Sequence, residues 1–102
     1  MTDNNIIKAL MQEEMETANK IHPLFQSPHE AYAVIKEEFE EAKEELVVCE
    51  GLLGDMWHRI RNDWGTEEVL RMIYAHAIYA TQEAIQLGAM AKKALDSKVE
   101  PK

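Results

Sequence analysis

An all-α fold is predicted by three features of the 102-residue sequence. Apolar residues recur at spacings of three and four over long stretches, strand-type alternation is absent, and glycine and proline fall at only a few places. Those breaks divide a single domain, residues 1–102, into a short N-terminal helix over about 3–20, a long antiparallel hairpin over about 27–95 and a flexible polar tail over 96–102. The expected architecture is a bundle of three main helices, completed by oligomerisation.

The first helix carries Ile7, Leu10, Met11, Met15, Ala18 and Ile21 on one side and stops before the segment IHPLFQSP. Pro23 and Pro28 remove backbone donors and restrict the residues before them, so a bent loop follows, with Leu24 and Phe25 turned inward. Ser27, Pro28 and Glu30 then combine an N-cap, a proline at the first helical position and a glutamate placed for a capping box. From there Ile35, Phe39, Ala42, Leu46, Cys49, Leu53, Met56 and Ile60 alternate steps of four and three, an apolar stripe that passes Gly51 and Gly54. The helix either runs on or kinks at those glycines. NDWGT is the next turn, with Thr66 as N-cap and Glu67 and Glu68 in the first turn, where the helix dipole favours negative charge. In the last helix Ile73, Ala77, Ala80, Ala84, Ala91 and Leu95 form the main stripe, and Met72, His76, Glu83, Leu87 and Met90 flank it.

A net charge of −8 argues against electrostatic binding of nucleic acid, which needs lysine and arginine to replace phosphate counterions. The single cysteine, Cys49, leaves no internal disulfide or cysteine-rich zinc site and fits a core thiol in a reducing compartment. The N-terminal segment lacks the apolar core of a signal peptide, and Arg71, His76, Gln82, Glu83 and Gln86 interrupt the apolar run from Val69 to Ala91. A cytoplasmic protein that does not span a membrane is expected.

Carboxylates intrude on this pattern. On a helical wheel centred at Ile35, Glu38, Glu45 and Glu41 fall roughly 60°, 80° and 120° to one side, in a sector otherwise held by Ala31, Val34, Val48 and Leu52. Glu37, Glu40 and Glu44, with Lys36 and Lys43, form an ordinary solvated face. Glu83 is the only acid between Glu68 and Asp96. A hairpin centred near Trp64 sets Glu83 level with Glu45, so that Glu38, Glu41, Glu45 and Glu83 converge between the helices. Four acids with no intervening lysine or arginine repel one another, and Mg²⁺ or Mn²⁺, which take oxygen ligands, would neutralise them. His76 is either an additional ligand or phosphate contact, or a core or interface histidine.

Glu37-Glu38-Phe39-Glu40-Glu41 fits EExxE, and Glu83-Ala84-Ile85-Gln86 stands where ExxD occurs in the all-α nucleoside triphosphate pyrophosphatases, the MazG-like and dimeric dUTPase-like superfamily, which the segment from about Ser27 to Leu95 resembles. EAIQLGAMAKKAL is similar to the second-motif helix of short phage and bacterial members. The resemblance implies a Mg²⁺-dependent hydrolase that releases pyrophosphate from a nucleoside triphosphate, with metal ligands at Glu38, Glu41, Glu83 and Gln86. Glu38, Glu41 and Glu45 are the candidate catalytic carboxylates, Glu45 being the one to orient the attacking water. Gln86 departs from the expected aspartate: its carbonyl can ligate, but it adds no charge and cannot act as a base. The separation of the two motifs is also longer than in the shortest members. Candidate phosphate contacts are Lys36, Lys43, Arg59, Arg61, Lys92 and Lys93. The expected partners are a nucleoside triphosphate and further copies of the chain, as homodimer or homotetramer. The alternative is a non-catalytic helical oligomerisation or adaptor protein, suited by the alanine- and methionine-rich last helix.

Overall fold

Asp3, Ser27 and Thr66 stand at the three helix starts of the computed structural model, which describes residues 3–99. The helices are α1 (Asn4–Ile21), α2 (Pro28–Arg61) and α3 (Glu67–Ser97), and no strand occurs among the described residues. Asp3 accepts the Asn5 N–H at 2.7 Å, satisfying one of the donors that a helix start leaves free. At α2 the Ser27 hydroxyl accepts the Glu30 N–H at 3.1 Å, while the Glu30 carboxylate reaches back to the N–H of Gln26, one residue beyond the partner a capping box uses. Thr66 holds the N-cap position of α3 without a side-chain cap bond.

Gly51 and Gly54 do not interrupt α2, which continues for 34 residues, about 51 Å at 1.5 Å per residue. The described chain accordingly measures 61 × 26 × 23 Å. α3 is the central element: α1 and α2 both pack on it, and the backbones of α1 and α2 do not approach each other. Met11 lies against Gly88, where an added Cβ would meet its thioether, so a larger residue here would require the flexible end of Met11 to move aside.

The loop from residue 22 to 27 is locked to the end of α3. Phe25 is buried; Leu24, expected to turn inward with it, is exposed. Ser97 Oγ accepts the Phe25 N–H at 2.9 Å and donates to the Lys93 carbonyl, and Lys93 Nζ donates to the His22 carbonyl at 2.9 Å while lying 4.7 Å from the Phe25 ring centroid. Lys93 is only 3 % exposed, so these bonds and the aromatic face offset much of the cost of burying its charge. The same bonds correct the expected tail: Asp96 and Ser97 are helical, Lys98 is a left-handed C-cap, and residues 100–102 lie outside the described residues.

α2 turns toward α3 the face that carries its glutamates. Ala31, Val34, Ile35, Glu38, Glu41, Ala42, Glu45, Cys49, Leu52 and Met56 are buried or half-buried. Of the predicted stripe, Phe39, Leu46 and Leu53 remain 51–61 % exposed. α3 divides in the same way: Ala80 is buried, and Ile73 and flanking His76, Glu83, Leu87 and Met90 are half-buried, whereas Ala77, Ala84, Ala91 and Leu95 of the expected main stripe and flanking Met72 are exposed. Two helices can cover only one arc of each other, and the contact has formed along the arcs that hold the buried Ala31, Ala42 and Ala80 together with the carboxylates.

Candidate metal centre

Three carboxylates meet where α2 crosses the middle of α3. One oxygen from each of Glu38, Glu41 and Glu83 lies within 4.8 Å of the others, and all three residues are half-buried. Glu38 and Glu41 come from consecutive turns of α2 and Glu83 from α3, so rigid helices fix their separation. Among the described residues no lysine or arginine forms an ion pair with any of the three.

The cost of this crowding appears in their proton affinities. Glu38 is pushed up to about 7, first by desolvation and then by the charges of Glu41, Glu83 and Glu37. Glu83 is also raised, by desolvation, by a hydrogen bond with Glu41, and by the charges of Glu41 and Glu45. Glu41 is the neighbour that raises both of the others, standing one turn from Glu38 on α2 and facing Glu83 of α3. Gln86 joins them: with its amide nitrogen facing the acids it donates to Glu38 Oε2 at 3.0 Å and Glu83 Oε2 at 3.3 Å. The expected ligand set of Glu38, Glu41, Glu83 and Gln86 is thus brought together, with the amide supplying donors in place of a fourth charge.

Glu45 is placed differently from the sequence expectation. It faces His76, with Oε2 2.7 Å from Nδ1, and reaches Glu83 only through space as one of the charges raising its proton affinity. The reason is the loop. Asn62 and Trp64 both donate to the Arg59 carbonyl, Asp63 takes a left-handed φ of 55°, and the Trp64 ring meets His58 edge-on at 5.4 Å. Residues 62–64 thus fold back along the last turn of α2, so α3 starts about two helical turns short of the tip of α2. The effective pivot lies near Arg61, and Glu83 comes level with Glu38 and Glu41 while His76 comes level with Glu45.

The candidate phosphate-binding cations do not gather at the acids. Lys36, Arg59 and Lys92 pair with Glu40, Asp55 and Asp96 one turn along their own helices, Arg61 lies over Trp57, and Lys93 is committed to the His22 carbonyl. Lys43 lies beside Glu40, Glu44 and Val47 on the open face of α2. What sequence reasoning did not anticipate is a neighbouring cleft. A cleft of about 370 Å³ between α1 and α3 is lined by Leu10, Glu13, Glu14, Gln82, Ile85 and Gln86, so Gln86 belongs both to this cleft and to the acid cluster. No periodicity in α1 singles out Glu13 or Glu14, whose place depends on the docking of α1 through Met11 and Gly88.

The residues fit a hard divalent cation: clustered carboxylate oxygens, an amide able to turn its oxygen inward, and negative charge that no lysine or arginine among the described residues pairs with. The chain matches no protein-family model, no curated protein and no solved structure.

Proposed function

We propose that the protein is a Mg²⁺-dependent nucleoside triphosphate pyrophosphohydrolase, or a close relative that binds the nucleotide with weakened catalysis. The observation that carries this reading is the convergence of Glu38, Glu41 and Glu83 within 4.8 Å beside Gln86, the positions at which the sequence resembles the two acidic motifs of the MazG-like superfamily. Glu38, Glu41 and Glu83 would hold Mg²⁺ or Mn²⁺, with Gln86 turning its carbonyl toward the ion. A cation there would offset the acids' field, accept triphosphate oxygens and make water more acidic. The cleft that Gln86 helps to line falls in the size range of small-molecule sites, which suits it to the nucleoside part of the substrate.

Self-association as homodimer or homotetramer belongs to the same reading, because the outward stripe of α2 and Leu70, Tyr74 and Ile78 of α3 leave large apolar side chains exposed. That surface equally suits the second reading, a non-catalytic helical adaptor, which the uncharged Gln86 also favours. Incubation with a panel of nucleoside triphosphates and Mg²⁺, assayed for pyrophosphate, separates them. Release from at least one nucleotide supports the first reading. Absence of both release and Mg²⁺-dependent thermal stabilisation supports the second.

A further inference from the structure

Outside the acid cluster, one pair of titratable side chains is joined across the hairpin. His76 Nδ1 on α3 lies 2.7 Å from Glu45 Oε2 on α2, both side chains are 27 % exposed, and the Tyr79 ring stands edge-on to the imidazole at 5.5 Å. Two ring or carboxylate atoms remain uncommitted: Glu45 Oε1 and His76 Nε2 have no hydrogen-bond partner among the described residues. Glu45 stands one turn beyond Glu41 on the face of α2 that packs on α3, with one oxygen bound to His76 and the other free.

We propose that His76 is a positioning residue for the hydrolytic site, its Nδ1–H holding Glu45 oriented as the proton acceptor for the attacking water. This rests on the pyrophosphohydrolase reading. An ionised carboxylate on a flexible three-bond side chain is a poor base unless its direction is fixed, and a charge-assisted hydrogen bond to one oxygen fixes it while leaving the other free. The reaction balances without a further reagent. The water oxygen bonds to one phosphorus of the α–β linkage, and its proton passes to Glu45. The bridging P–O bond then breaks, its electron pair leaves with the departing phosphate group, and Glu45 returns its proton to solvent. The hydrogen bond to Glu45 selects the tautomer of His76, as an adjacent carboxylate does for imidazoles in general.

The test has two readouts. Nitrogen-15 NMR of the metal-free protein should find a proton on Nδ1 of His76; a neutral ring protonated on Nε2 alone overturns the proposal, because Glu45 would then have to be the donor. In steady-state pyrophosphate release, His76→Leu should lower kcat by about tenfold or more while KM and the Mg²⁺ dependence of the thermal midpoint stay as in the wild type. His76→Asn, which keeps an N–H donor near the place of Nδ1, should stay within about threefold of wild-type kcat. If wild type is active and both variants match it, or both lose KM and kcat together, His76 is structural and the proposal fails alone. If wild type neither releases pyrophosphate nor is stabilised by Mg²⁺, the reading beneath it fails as well.

Discussion

With its amide nitrogen turned toward the acids, Gln86 bridges two carboxylates of different helices, donating to Glu38 at 3.0 Å and to Glu83 at 3.3 Å. Its amide therefore supplies the donors that hold two carboxylates together in the metal-free protein, at the position where the resemblance leads one to expect aspartate. Gln86→Asp removes both donors and adds a charge. Without divalent cation it should lower stability by about 1–3 kcal/mol, the cost of hydrogen bonds to charged groups. With Mg²⁺ the loss should shrink or reverse, metal affinity should rise, and pyrophosphate release should increase. Thermal denaturation with and without Mg²⁺ checks the sign; equal destabilisation in both, with no gain in metal binding, assigns Gln86 to packing and favours the adaptor reading.

The raised proton affinity of Glu38 sets a pH dependence. Its ordinary value is 4.5 and its folded value about 7, so between those pH values the folded state binds more protons than the unfolded state. Stability contributed by the proton is fully present below pH 4.5 and is lost as pH rises through about 7. The metal-free protein should lose on the order of 1–3 kcal/mol across that window from this group, and Mg²⁺ should restore more at pH 7.5 than at pH 5. Chemical denaturation at three pH values in EDTA measures it; a metal-free stability that rises from pH 5 to 7.5 contradicts it.

Phe39, Leu46, Leu53 and Ile60 recur every seven residues on the side of α2 away from α3, and Leu46 and Leu53 are 61 % and 57 % exposed. A second copy should cover this stripe. Wild type should sediment as a dimer or larger at micromolar concentration, and the double variant Leu46→Glu, Leu53→Glu should sediment as a monomer with its helix content retained, since neither side chain supports the single-chain core. A monomeric wild type would contradict the oligomer.

Periodicity and caps made the helices legible because both are local. The Ser27-Pro28-Glu30 start and the stop before Pro23 depend on a few neighbouring residues and stand where the pattern put them. The rotation of α2 was legible only in part: Ile35, Ala42, Cys49 and Met56 of the predicted stripe turn inward together with the glutamate sector, while Phe39, Leu46 and Leu53 stay outside. Glu38, Glu41 and Glu83 were grouped, together with Glu45, from helical spacing and from a register counted outward from Trp64, and the first three do meet. The pairing of Glu45 with His76 was missed because counting outward from Trp64 assumes a symmetric turn, whereas Trp64 N–H folds back onto the Arg59 carbonyl. Ser97, placed by composition in a polar tail, is ordered by its long-range bond to Phe25.

Binding of Mg²⁺ or Mn²⁺ to wild type and to Glu83→Gln, followed by calorimetric titration and thermal denaturation at pH 7.5, tests the metal centre most directly. Wild type should bind and gain stability with cation concentration, as mass action requires of a site present only in the folded state. Glu83→Gln should lose that gain while its metal-free form is as stable as wild type or more so, because one of three crowded acids has become neutral. Equal stability changes with and without cation, or no binding by wild type at millimolar Mg²⁺ and Mn²⁺, would contradict the account.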